Sequence, residues 1–454
     1  MNDKGAGVAK PMDTTATGEI ARVGTVTSAV NNAVHGAAPA TTSARRASAP
    51  AVLALCFTAI LLDGLDTSSI GIAGPMIAAH FGVPPSSLTA PFVMTSIGAV
   101  IGYLLSGSLV ARWTARRILL ACVAAFGALS LATPLAGSIA QLAVLRLITA
   151  VGLGAALPSA ISIAVEQVSP RLRATVTVIV GAGLASGGVL GGMLGGMMTQ
   201  RYGWEYLFYV GGALPLMLFL CLWRWLPIGA ATRQASSAAD NNQSGRSFEL
   251  ITRLLAKPGQ TIGLWVFSFL IFADAYALLF WLPSLLIGFG FSPENAQFGV
   301  GAFSAGGLLA NIVLALLVSR VTVTRALLTA SLVAATCAVG LALDASTQPS
   351  MWLLIAGAGA GLIACSVGQS ALAVSIYPRA LQTNGVGFSA AAGRIGSIVG
   401  PAIAGLLFSL GWTPRSIVIA TIAPILAAVL ALLLLISTMR RDAVNKDSSG
   451  VQAN

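Results

Sequence analysis

Histidine is almost missing from this sequence: two occur in 454 residues, His35 near the start and His80 further on. That excludes a histidine metal site and an intramembrane histidine relay, so a proton carried through a membrane must ride on a carboxylate. Charge is scarce too, at 9% of residues against about a quarter in soluble domains. Cysteine offers no substitute chemistry. Cys56, Cys122, Cys221, Cys337 and Cys365 fall inside apolar runs with no CxxC pair, and read as small core residues. No nucleophile–base set, metal cluster or phosphate loop stands in the sequence, so neither an enzyme nor a bound cofactor is expected.

What is present is apolar: 56% of residues, with a mean hydropathy of +0.87. Such a chain belongs in a lipid bilayer. Its net charge of +11 is dispersed in short clusters between apolar runs, which predicts topology rather than nucleic-acid binding. Spans of about 20 residues can be placed at 51–79, 88–110, 118–136, 139–165, 174–198, 206–226, 261–286, 295–318, 324–343, 351–376, 384–410 and 415–437. With these twelve, all but four of the 25 Lys and Arg fall on one side. The four are Arg201 and Arg415 on the other side, and Arg146 and Arg394 inside helices. The positive-inside bias predicts both termini in the cytoplasm. Arg45 and Arg46 are then a basic flank rather than a twin-arginine signal, because the run that follows is too long and carries two aspartates.

Residues 1–50, rich in Ala, Thr, Ser and Gly, read as a disordered cytoplasmic tail, and 439–454 as a second tail. A polar stretch at 227–260 divides the chain into six-helix halves, 51–226 and 261–438, the parallel-repeat layout of secondary transporters. Short basic loops recur after spans two and eight, ARWTARR (111–117) and SRVTVTR (319–325). Span five carries Gly183, Gly187, Gly191 and Gly195 at spacing four, with Gly188, Gly192 and Gly196 one step on. Close helix approach is expected there, with a gating role for the seam as a further possibility. Gly396, Gly400, Pro401 and Gly405 form a similar run in span eleven.

Ionisable groups inside a span are rare and functional. Asp63 and Asp66 stand at i and i+3 in span one, on one helix face. Asp63 is ~18 Å into the bilayer from the inner side and Arg146 ~20 Å, from a rise of about 1.5 Å per residue, so Asp63 or Asp66 is the first candidate partner of Arg146. Asp274 and Arg394 also lie near mid-depth, so both halves bring charge to one central zone. A buried Asp–Arg pair can simply lock helices together. The functional alternative is a guanidinium that binds a substrate carboxylate while an aspartate takes up and releases a proton. Glu166, at the cytoplasmic end of span four, can latch a gate through Arg171 or Arg173 or merely sit at the interface. Phe272, Tyr276, Phe280, Trp281, Phe303 and Phe388 could stack on a ring-shaped substrate or serve packing alone. Trp204, Trp281, Trp352 and Trp412 are placed in an outer aromatic belt.

The stretch DGLDTSSIGIAGP (63–75) resembles the span-one signature of the aromatic acid:proton symporter family of the major facilitator superfamily. The resemblance continues in RLITAVGLGAALPSAISIAVEQVSPRLRA (146–174), YGWEYLFYVGGALPL (202–216), FWLPSLLIGFGFSPENA (280–296) and YPRALQTNGVGFSAAAGRIGSIVGP (377–401). It implies a twelve-helix proton-coupled importer of benzoate-like acids in a bacterial inner membrane, working by alternating access. By resemblance, Asp63 and Asp66 match the family's paired span-one acids, Arg146 its span-four arginine, Arg394 the arginine before the span-eleven glycines, and Glu166 the acid that ends the span-four segment; opposite charges at matching depth lead us to expect that Arg146 and Arg394 attract the anion while Asp63 and Asp66 carry the proton. The inner-gate loop keeps Gly107, Arg112, Arg116 and Arg117, but Ala111 stands where the superfamily has aspartate and Thr114 where it has glycine. After span six, Leu226-Pro227-Ile228-Gly229 replaces the usual L-P-E-S.

The expectation is therefore a monomeric, all-α, twelve-span major facilitator protein importing an aromatic monocarboxylate with protons. Its partners are a small organic anion, protons and the lipid bilayer. The rivals are an exporter of hydrophobic compounds, suggested by the glycine–proline run, and a non-transporting membrane sensor, allowed by the two degraded loops.

Overall fold

The computed structural model of the chain describes residues 48–110, 112–226, 254–255, 257–317, 321–343, 348–378 and 381–451. The expected disordered tail, most of the 227–260 linker and Ala111 lie outside these residues. Twelve long helices form: α1 Ala49–Phe81, α2 Thr89–Val110, α3 Ala115–Ala132, α4 Ile139–Glu166, α5 Arg173–Tyr202, α6 Glu205–Trp225, α7 Pro258–Gly288, α8 Pro293–Leu317, α9 Val323–Leu343, α10 Gln348–Ile376, α11 Gln382–Ser409 and α12 Pro414–Val451. All twelve contain a segment long and apolar enough to cross a bilayer. Their outer surfaces carry exposed leucines such as Leu309, Leu353 and Leu430, the composition lipid requires.

Local chemistry sets the ends. Gly82 takes a left-handed conformation (φ 62°) and returns its N–H to the carbonyls of Ala78 and Ala79, closing α1. Thr114 caps α3, its hydroxyl accepting from the Arg117 N–H at 3.3 Å. The residue that departs from the family glycine thus starts a helix. The tail expected from 439 is helical as far as Val451, since between Pro424 and Gly450 the sequence has neither proline nor glycine.

Two arginines clamp helix ends in mirror fashion. Arg116, at the start of α3, donates from Nε to the Leu226 carbonyl (3.0 Å) and from Nη2 to that of Trp223 (2.7 Å), at the end of α6. Arg415, at the start of α12, does the same for Ala342 (2.7 Å) and Leu343 (3.0 Å) at the end of α9. Both satisfy terminal carbonyls and oppose the negative end of a helix dipole. Arg116, placed by sequence in the inner-gate loop, therefore serves as a helix clamp, and Arg415 owes its place on the sparsely charged side to the same duty.

The halves meet on one side of the molecule. Close approaches join Gly405 of α11 to Thr89 of α2, Gly71 of α1 to Leu279 and Phe280 of α7, and Gly192 of α5 to Gly301 of α8. Phe92 of α2 stacks on Phe280 and meets Trp281 edge-on (5.2 and 5.0 Å). Thr199 of α5 donates to Gln297 of α8 at 2.8 Å. All lie between mid-depth and the face opposite the start of α1. One apolar cluster accordingly runs from Ile70, Ile72 and Phe92 into the second half, while the starting end of α1 (Val52, Cys56, Ile60) packs only within the first half. Toward the starting face, Ile101, Tyr103, Leu104 and Leu105 of α2 stand exposed. The bundle is closed on one side and parted on the other.

Candidate functional site

The two aspartates of α1 part company. A spacing of three residues turns a helix by about 300°, enough to point one acid between the halves and the other into the first half. Glycines fix this orientation, because a Cβ on Gly64 would collide with the Leu184 carbonyl of α5, and one on Gly187 with that of Leu61. With α1 seated so closely, Asp66 turns toward α3 and α4. There it accepts from the Ser130 hydroxyl and from Nη2 of Arg146, and the three side chains are fully or almost fully buried. The Arg146 guanidinium also lies 5.5 Å from the centre of the Phe208 ring of α6. Its Nε and Nη1 have no hydrogen-bond partner. The cluster ties α1, α3, α4 and α6 together. The depth argument left Asp63 and Asp66 both open as partners of Arg146, and the pair forms with Asp66, one turn deeper. Sequence reasoning missed Ser130, a serine in an apolar helix with no marking feature.

Asp63 faces the space between the halves. Its Oδ1 accepts from the Thr67 hydroxyl at 3.2 Å, and it lines a central pocket of about 540 Å³, mouth included. α2 contributes Thr95 and Ser96, α7 contributes Tyr276 and Phe280, and α11 contributes Arg394 and Ser397. Apolar residues of α4, among them Ala150, Leu153 and Leu157, complete the wall.

Arg394 is half-buried. Its Nη1 donates to the Tyr276 hydroxyl at 3.4 Å, and its guanidinium lies 5.4 Å from the centre of the Tyr103 ring of α2. It reaches the pocket because α11 presses against α7: added Cβ atoms at Gly396 and Gly400 would strike the carbonyls of Phe269 and Ala273. The Pro401 carbonyl of the same run accepts from Trp281 Nε1 at 3.1 Å. The glycine–proline run is thus a packing seam. Trp281, expected in the outer aromatic belt, is fully buried and stacks on Phe408, because its indole N–H finds its partner inside the bundle. Trp204 is likewise buried, against His80 and Phe208, whereas Trp412 is exposed.

The other sequence candidates lie apart from this pocket. Asp274 is buried in α7, with Oδ2 lacking a partner, and does not line the cavity. Glu166 is exposed at the end of α4, and among the described residues no ion pair links it to Arg171 or Arg173. Gly107 lies near the end of α2, and Arg112 and Arg117 are exposed nearby. The pocket thus unites Asp63 from the first half with Arg394 from the second, between aromatic and aliphatic walls. An anion can meet the guanidinium while a carboxylate one helix away gains or loses a proton.

Residues 56–377 match the Major Facilitator Superfamily. The chain is 34% identical over 392 residues to the 3-(3-hydroxy-phenyl)propionate transporter of Escherichia coli K12, covering 86% of this chain and 94% of that protein. It is 30% identical over 404 residues to the 4-hydroxybenzoate transporter PcaK of Pseudomonas putida, covering 82% and 89%. Among solved structures it is similar to a bacterial homolog of the human lysosomal transporter Spinster in an inward-facing, unoccupied conformation. There the TM-score is 0.68 at 18% identity, covering 87% of this chain and 98% of that one. With a superfamily match over most of its length and aromatic acid transporters as its full-length relatives, the chain is a transport protein rather than an enzyme, a member of the aromatic acid transporter family of the major facilitator superfamily.

Proposed function

We propose that the protein imports an aromatic monocarboxylate together with protons across a bacterial inner membrane, as a monomer with both termini in the cytoplasm. The observation that carries this reading is the meeting of Asp63 and Arg394, opposite charges from the two halves, in one pocket walled by Tyr276 and Phe280. The guanidinium anchors the substrate carboxylate. Asp63 carries the proton: among the described residues its carboxyl is engaged only by the Thr67 hydroxyl and faces the pocket, whereas Asp66 is taken up by Arg146 and Ser130. Asp66 and Arg146 then hold α1 in place for Asp63. The parted side is the cytoplasmic one by the distribution of arginine and lysine, and substrate is released there when the halves rock about the site.

Uptake of labelled 4-hydroxybenzoate and 3-(3-hydroxyphenyl)propionate, in cells with and without an uncoupler, tests this. Accumulation above the external concentration that collapses with the proton gradient is expected. Accumulation indifferent to the uncoupler removes proton coupling, and no uptake of either acid removes the substrate class.

A further inference from the structure

Hydroxyl side chains inside apolar helices usually turn back on a carbonyl three or four residues earlier. In the pocket Thr95 and Ser397 follow this rule, donating to the carbonyls of Pro91 (2.7 Å) and Arg394 (2.7 Å), and Thr67 donates instead to the Asp63 carboxylate (3.2 Å). Ser96 does neither. It lines the same pocket and is 2% exposed, and its hydroxyl has no hydrogen-bond partner. A buried hydroxyl without a partner carries a desolvation cost that a ligand can remove.

Position says which part of a ligand does so. Ser96 and Tyr103 lie seven residues apart on α2, on one stripe and separated by ~10 Å along the axis. The Arg394 guanidinium sits over Tyr103. Arg394 and Ser96 line one cavity, so a ligand anchored at the guanidinium can present its other end to Ser96. A carboxylate belongs at Arg394. A neutral group able both to donate and to accept belongs at Ser96.

We propose that Ser96 is a specificity-determining residue that hydrogen-bonds a hydroxyl on the substrate ring, so that the pocket selects hydroxylated aromatic acids over their unsubstituted parents. This rests on the aromatic-acid reading above. The substrate hydroxyl exchanges water for the Ser96 hydroxyl, which among the described residues no protein group engages. A site built to pair with a hydroxyl discriminates far better than one that merely leaves room for it.

Binding of 4-hydroxybenzoate, benzoate, 3-(3-hydroxyphenyl)propionate and 3-phenylpropionate to the purified wild type and Ser96→Ala provides the test. In the wild type, at least one hydroxylated acid is expected to bind about tenfold more tightly than its parent. Ser96→Ala erases that preference by weakening the hydroxylated acid about tenfold, while the parent acid, which doubles as the folding control, stays within about twofold. Equal weakening of both members of a pair, or a wild type without preference in either pair, overturns the assignment. A wild type that binds none of the four overturns the aromatic-acid reading and this assignment with it.

Discussion

Replacing Arg146 by alanine strands the Asp66 carboxylate in the core of the first half, with Ser130 as its one remaining partner. Breaking a buried ion pair from one side costs about 3–5 kcal/mol, because the charge left behind keeps its desolvation penalty and loses its compensation. Asp66→Leu should cost as much, for the guanidinium of Arg146 already has two nitrogens without partners. Removing both charges together is different. The double variant Asp66→Leu, Arg146→Met exchanges an incompletely satisfied pair for apolar volume, and such exchanges are near neutral or stabilising. The double-mutant cycle on detergent-solubilised protein, read by denaturation, should therefore show a coupling of several kcal/mol, the double variant recovering most of what each single one loses. The same double variant should still bind 4-hydroxybenzoate, because neither side chain lines the pocket. Additive losses would refute the argument for a self-contained clamp. A folded double variant that binds no substrate would return Arg146 to the binding site.

Asp63→Asn is expected to abolish proton-driven accumulation while preserving substrate counterflow in proteoliposomes; a variant that still accumulates substrate would discharge Asp63 from coupling. Arg394→Ala should weaken binding at least tenfold, given about 1.5–3 kcal/mol for a hydrogen bond to a charged group, with Arg394→Lys intermediate, as isothermal titration can show. Gly187→Ala drives a methyl group against the Leu61 carbonyl, and the resulting overpacking should cost about 1–3 kcal/mol of thermal stability; an unchanged melting temperature would contradict the seam. Arg116→Ala leaves the Trp223 and Leu226 carbonyls without their donor. It should lower stability by about 1 kcal/mol and leave substrate affinity untouched, so an affinity change would restore Arg116 to the gate.

The spans were legible because a bilayer leaves little choice: a long apolar run must satisfy its backbone internally, and the helices begin and end within a few residues of the expected positions almost throughout. The chemistry was legible as a set of residues and not as an arrangement. Asp63, Asp66, Arg146 and Arg394 stand out in any apolar sequence, but depth resolves to about one helical turn, and two acids three residues apart fall within it. Which one meets Arg146 depends on the rotation of α1, set by glycine contacts with α5 that no local pattern encodes. Trp281 was misplaced for a related reason, and the uses of Thr114 and Arg116 were not legible. They serve as a buried donor, a cap and a clamp, the first and last through neighbours distant in sequence. Ser96 and Ser130 bear no mark at all, since a serine in a membrane helix is ordinary until its partner, or lack of one, is known.

The glycines of α5 serve two neighbours at once. Gly183, Gly187, Gly191 and Gly195 lie against α1 of their own half, while Gly188, Gly192 and Gly196 lie against α8 of the other. Both faces are smooth, with opposite consequences. Against α1 the smoothness brings backbones together along a length that nothing pulls apart, and the result is a weld. Against α8 it brings Gly192 onto the backbone of Gly301, with the Ser304 side chain seated at Gly188 and those of Gln297 and Phe298 at Gly196, so parting there draws only a few side chains off a bare face. An alternating-access cycle would use such a face, one that seals tightly yet has few teeth to catch. Filling it would spoil the seal and the release together: a single methyl group at Gly192 would prop the joint open, since Gly301 comes close enough to leave no room for it.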